Sequence, residues 1–185
     1  LLTKVLDCHV LSIFNEYYAN KPDLILPNPF LLPNSLSVPM FAPLKVKKLV
    51  AHAAYPQYAT AGAACFDLKT SITQPLKIEA GSSAIVPTGL SFEVPEGFVM
   101  NVYSRSGHAF KHNVRLANCV GVIDSDYRGE LLVKLTADGV AYTVQPGESI
   151  AQARLEQLFR AVFVPVTFLS ETARGLGGFG STDAK

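Results

Sequence analysis

The run from Arg174 to Thr182, RGLGGFGST, concentrates groups suited to phosphate oxygens: glycine amides unshielded by side chains, the donor fork of Arg174, and the hydroxyls of Ser181 and Thr182. Gly175, Gly177 and Gly180 also satisfy G-x-G-x-x-G. A dinucleotide-binding turn needs a following helix and an acidic residue about 20 positions on, and only five residues follow Gly180. A P-loop needs a lysine ahead of the hydroxyl, and none stands between Gly180 and Ser181. What remains is a ligand-closing arm whose ring, Phe179, can stack on a base. The plain alternative is a terminus without structure.

Two further clusters carry chemistry. Ser104-Arg105-Ser106-Gly107 falls where a strand gives way to a helical turn, so its amides and guanidinium suit an anion; as a structural feature, Ser106 would be an N-cap and Arg105 a surface charge. From Asn118 to Glu130 the chain reads NCVGVIDSDYRGE. Asp124 and Asp126, two apart on extended chain, point the same way, and Tyr127 between a carboxylate and a turn glycine can lie flat under a sugar. The alternative is a charged hairpin turn. His108 and His112 have the i, i+4 spacing of half a zinc site, but H-E-x-x-H is absent and no third ligand is near in sequence. A protein-held catalytic zinc is not expected. Nor does any G-x-S-x-G elbow support nucleophilic serine chemistry.

The elements around these clusters follow from periodicity. After Pro43 the apolar period is two, with β-rich runs at Val46 to Val50, Ser83 to Val86, Leu90 to Val94, Phe98 to Tyr103, Leu131 to Leu135, Tyr142 to Val144 and Ala161 to Val166. Turn signals at Glu79-Ala-Gly81, Pro95-Glu-Gly97, Asp138-Gly139 and Gln145-Pro-Gly147 are expected to close antiparallel hairpins and leave little room for crossover helices. An all-β jelly-roll sandwich follows, with one short helical turn at Ser106 to Lys111. Ahead of it, apolar residues from Leu2 to Tyr17 recur at helical spacing, and six prolines between Pro22 and Pro43 make a strap. The expected division is a helix and strap over 1–43, a β domain over 44–170 and an arm over 171–185. The helix packs on its own domain or oligomer, or else binds a protein partner.

Composition narrows the function classes. Of the 185 residues 49% are hydrophobic and 17% charged, enough for a substantial core. Lys and Arg number 16 against 15 Asp and Glu, a net charge of +1, which argues against direct nucleic-acid binding or an anionic membrane surface while leaving room for a small phosphorylated ligand. Leu1 to Phe14 is interrupted by Lys4, Asp7 and His9 and is too polar for a membrane span. Cys8, Cys65 and Cys119 form neither a disulfide framework nor zinc spacing, so a reducing, cytoplasmic setting is expected, or a nuclear one in a eukaryote.

In this order on an all-β chain, the clusters resemble the five motifs of the trimeric deoxyuridine triphosphatase (dUTPase) family: AGAACFDL (Ala61 to Leu68), YSRSG (Tyr103 to Gly107), GVIDSDYRGE (Gly121 to Glu130), PGESIAQ (Pro146 to Gln152) and RGLGGFGST. The resemblance runs from about Leu44 to the end. It implies a jelly-roll homotrimer with shared active sites that converts dUTP to dUMP and pyrophosphate, with Mg²⁺ bound through the substrate triphosphate rather than by protein ligands. By matching positions, Asp124 activates the attacking water and holds the 3′-hydroxyl, Tyr127 lies against the deoxyribose, and Asn118 and Gly121 belong to the segment that reads uracil. Arg105, Ser106, Gly107 and Gln152 fall to the phosphates. Arg174, Gly180, Ser181 and Thr182 close over the γ end, Phe179 stacks on uracil, and Asp67 sits near the metal-phosphate region. Cys65, Ser104, Ser149 and Asp183 depart from the usual pattern. The rival readings are a dCTP deaminase of the same superfamily and a non-catalytic, nucleotide-gated trimer that binds a protein partner.

Overall fold

A computed structural model describes residues 42–179. The expected N-terminal helix and nearly all of its strap lie outside these residues, as do Gly180, Ser181, Thr182 and Asp183. The strands within residues 42–179 form two antiparallel sheets and a two-stranded ribbon. One is built from β1 (Lys45–Lys48), β5 (Ser83–Glu93), β9 (Glu130–Ala137) and β7 (Val114–Leu116) in the order β1-β5-β9-β7. The other has β2 (Gln57–Tyr58), β3 (Phe66–Lys69), β11 (Ser149–Gln157), β6 (Phe98–Tyr103) and β8 (Val120–Ile123) in the order β2-β3-β11-β6-β8. A ribbon of β4 (Leu76–Ile78) and β10 (Tyr142–Val144) completes the strands, and α1 (Ser106–His112) follows β6. Among the described residues no helix is long and apolar enough to cross a membrane.

Period two does what it should. Along β9, Leu131, Val133, Leu135 and Ala137 turn inward while Leu132 and Lys134 face out. They meet Val86, Leu90 and Phe92 of β5, Leu68 of β3, Met100 and Val102 of β6, and Ile150, Ala151 and Ala153 of β11 in one buried core.

The two runs expected at Ser83 to Val86 and Leu90 to Val94 are a single strand. Both halves of β5 pair with β9, with the register shifting between Pro87 and Ser91. This bulge is made by Gly89, at φ 66° with Val50 Cγ2 only 2.7 Å from where a Cβ would sit, a place no other residue can take. Ala161 to Val166, in contrast, is no strand: it runs in the open, with Val162 88% and Phe163 91% exposed. Its β propensity is real, but among the described residues no sheet edge accepts it.

Candidate functional site

Asp67, Gln152 and Tyr103 share one rung of the five-stranded sheet, since Gln152 on the central strand β11 pairs with Asp67 of β3 on one side and Tyr103 of β6 on the other. Three segments far apart in sequence therefore meet at one end of the sheet. Arg105, two residues beyond the rung, turns its guanidinium back onto Asp67: Nε donates to Oδ1 at 3.2 Å and Nη2 to Oδ2 at 3.4 Å. Nη1 donates to the Ser149 carbonyl at 3.0 Å. Three of five N–H groups are thus engaged within the fold, and two remain for a ligand. Gln152 Nε2 donates to the Ser104 carbonyl at 3.0 Å, which fixes the turn that carries Ser106 and Gly107 into α1.

Ser106 and Gly107 lie exposed on the first turn of α1. Ser106 is not the N-cap; Arg105 occupies that position with extended backbone and no side-chain cap bond. One departure from the usual motif pattern has a local explanation: Ser104 Oγ accepts the Leu116 amide at 2.9 Å, whereas Ser149 serves the cluster only through its backbone carbonyl, which any residue there would supply.

The helix is held from behind by a group that motif reading passed over. His108, buried to 6% exposure, meets Glu148 with Nε2 2.6 Å from Oε1. Tyr142 Oη donates to the same oxygen, and the Gln145 amide donates to Oε2 at 2.7 Å. The His108/His112 spacing therefore marks a helix anchor, and among the described residues no three His, Cys, Asp or Glu side chains converge as a metal cage. Burial alone would raise the Glu148 pKa, but the bonds from Tyr142, Gln145 and His108 outweigh it and hold the carboxyl below its ordinary 4.5. The same burial and carboxylate keep the Tyr142 phenol protonated far above its usual range. A carboxylate depressed on folding stabilises the fold above about pH 4.5, and that stability is lost as the pH falls through the lower folded value. Glu148→Gln is therefore expected to cost about 1–3 kcal/mol at pH 7 and to flatten the acid limb of stability below pH 4.5, as read from urea midpoints across pH.

The Asn118 to Glu130 segment forms a second half-site. Asn118 and Cys119, the latter at φ 62°, make the turn between β7 and β8, and Gly121 packs close to Val102 of β6. Beyond β8, an open pocket of about 190 Å³ is lined by Val122, Ile123, Asp124, Tyr127, Glu130, Leu131 and Leu132. Asp124 and Tyr127 are both exposed at it, the Tyr127 amide bonded to the Asp124 carbonyl at 3.3 Å.

Within one chain the Asn118 turn adjoins the Tyr103 end of β6, but Arg105 and Asp124 do not meet. β6 and β8 pair with Tyr103 opposite Val120 and Met100 opposite Ile123, so Arg105 follows one end of the pair and Asp124 the other, with three strand steps, about 10 Å, between those ends. The described part of the arm, up to Phe179, bonds within itself. Arg174 Nε donates within its own turn to the Gly177 carbonyl at 2.9 Å, and Phe179 is fully exposed.

A family model for dUTPase matches residues 51–183 of this chain. The chain belongs to the dUTPase family. It is 49% identical over 133 residues to the deoxyuridine 5′-triphosphate nucleotidohydrolase of Dinoroseobacter shibae, covering 69% of this chain and 86% of that protein. To the corresponding Chlamydia pneumoniae protein it is 45% identical over 131 residues, 70% of this chain and 90% of the relative. The fold also matches the dUTPase of Staphylococcus bacteriophage 80alpha solved with dUPNHPP, at a TM-score of 0.66 and 25% identity, over 76% of this chain and 98% of that one. The dUTPase match takes in every described cluster above and the arm, but not the proline-rich strap before residue 42.

Proposed function

We propose that this chain hydrolyses dUTP to dUMP and pyrophosphate, in active sites completed by neighbouring copies of a homotrimer. The observation that carries the reading is the assembly of Asp67 and Gln152 on adjoining strands with Arg105 at the helix start beside them, in a chain of this family, leaving two guanidinium N–H groups uncommitted within the fold. In this account Arg105, Ser106, Gly107 and Gln152 hold the phosphates. Asn118 and the backbone from Cys119 to Asp124, Gly121 included, read the uracil edge, and Tyr127 lies against the deoxyribose. The Asp124 carboxylate takes a proton from water as the water oxygen bonds to the α-phosphorus; the bond from that phosphorus to the bridging oxygen breaks, and pyrophosphate leaves with the electron pair. The dUMP formed is the substrate of a base-methylating step, and removal of dUTP limits uracil in DNA.

Mg²⁺ fits this donor set as a partner of the substrate. Both oxygens of Asp67, the carboxylate of the phosphate cluster, face the Arg105 guanidinium. When bound on the triphosphate oxygens, Mg²⁺ would supply charge neutralisation at the phosphorus under attack.

Sharing of the site is supported by the separation of Arg105 from Asp124 and by the tail. Phe159, Val162, Phe163, Phe168 and Leu169 are each at least 85% exposed, more apolar surface than a single chain leaves in water without a use. A neighbouring copy would cover it and receive the arm, with Arg174, Gly180, Ser181 and Thr182 over the γ-phosphate and Phe179 on the base. The deaminase reading lacks a candidate base near the pyrimidine C4.

Pyrophosphate release is to be measured with dUTP, dCTP, dTTP and UTP in turn, each with Mg²⁺, and the product base identified. Release from dUTP alone is expected. Ammonia from dCTP, or no turnover of any of the four, would overturn the proposal.

A further inference from the structure

Gly129 follows Tyr127 by two residues, is exposed, and keeps φ outside the left-handed region, so its backbone could carry any side chain. Space is what forbids one. A Cβ at Gly129 would lie 2.4 Å from Tyr127 Oη, 2.6 Å from Cζ and 3.0 Å from Cε2, all well inside van der Waals contact. Gly97, Gly139 and Gly147, the glycines of ordinary turns in this fold, have nothing within 4 Å of such an atom. The phenol is seated in the gap that the missing side chain leaves. It is held there by Oη donating to the Glu130 carbonyl at 2.9 Å.

Either the ring or the backbone must give way if the gap is filled, and the backbone is tied on both sides of Gly129. Ser91 Oγ, from the β5 bulge, donates to the Arg128 carbonyl at 2.7 Å. The Gly89 amide donates to Glu130 Oε1 at 2.8 Å, and buried Thr88 Oγ1 donates to the Leu131 carbonyl at 2.7 Å. The bulge thus clamps residues 128, 130 and 131 to the core sheet, and the ring is the part left to move. Its free side lines the pocket with Asp124.

We infer that Gly129 is a specificity-positioning residue: the side chain it lacks is the seat that presses the Tyr127 ring against the sugar and so sets discrimination between 2′-deoxy and 2′-hydroxy nucleotides. The inference rests on the sugar role given to Tyr127 in the proposed function.

The test is a double-mutant cycle on the full chain, reading the ratio of kcat/KM for dUTP to that for UTP. Gly129→Ala is expected to lower the ratio by about tenfold or more, the scale of one misplaced group in a substrate pocket. In a Tyr127→Ala background the same substitution should leave the ratio within about twofold, because the clashing ring is gone. An unchanged ratio in Gly129→Ala, or an equal drop in both backgrounds, overturns the inference while the sugar role stands. If Tyr127→Ala itself leaves the ratio unchanged, the sugar role fails and the inference with it. Should Gly129→Ala instead lower the thermal midpoint, the double variant should restore it; a double variant as unstable as the single one counts against the seat.

Discussion

Asp124→Asn is expected to leave the fold and nucleotide binding intact and to lower turnover by at least about 100-fold, the usual scale for loss of a general base. The substitution keeps shape and hydrogen-bonding capacity at an exposed position just past the end of β8, so the sheet has little to lose. What disappears is the negative charge and the proton acceptor. A purified variant with its melting midpoint unchanged and its pyrophosphate release near normal would remove Asp124 from the chemistry.

The second large effect belongs to Arg105. Its guanidinium spans Asp67 and the Ser149 carbonyl, so it is pre-oriented before any ligand arrives, and it offers its two remaining N–H groups as fixed donors. Arg105→Ala should lower kcat/KM by about 100- to 1,000-fold, as loss of a pre-organised donor to developing charge does elsewhere. Arg105→Lys should recover little of it, because an ammonium cannot hold Asp67 through two parallel bonds, reach the Ser149 carbonyl and still present a planar donor pair. A lysine variant as active as the parent would show that only charge matters there.

Legibility in the sequence followed the range of the interactions. Strands with a period of two, such as Phe98–Tyr103 and Tyr142–Val144, are local features and stand where periodicity puts them. The turns at 79–81, 95–97, 138–139 and 145–147, however, close no hairpins: each carries the chain from one sheet or ribbon to another. Those strands find partners distant in sequence, Tyr142–Val144 pairing with Leu76–Ile78. β11 escaped, because Ala151-Gln-Ala-Arg-Leu-Glu156 consists of good helix formers; it is a strand because β3 and β6 pair with it on both sides. Ala161 to Val166 is the reverse case, strong β propensity with no partner edge among the described residues. The site divides the same way. Asp124, Tyr127 and the Ser104-Arg105-Ser106-Gly107 run were visible as motifs, but no spacing rule joins Asp67 to Arg105 across 38 residues or His108 to Glu148 across 40. Only the order of strands in the sheet makes those pairs. The seat at Gly129 was equally hidden, since in the sequence it reads as one more turn glycine.

The proposed division of the site between chains is tested by subunit mixing. Asp124→Asn and Arg105→Ala proteins, each inactive alone, are to be unfolded together, refolded at equal ratio, shown by native mass spectrometry to have formed hybrids, and assayed for pyrophosphate release from dUTP. In a ring of heterologous contacts about a quarter of the sites should pair an intact Asp124 with an intact Arg105, so activity should return to about a quarter of the parent's. Hybrids with no more activity than the two parents would place both residues in the same chain's site and contradict the account.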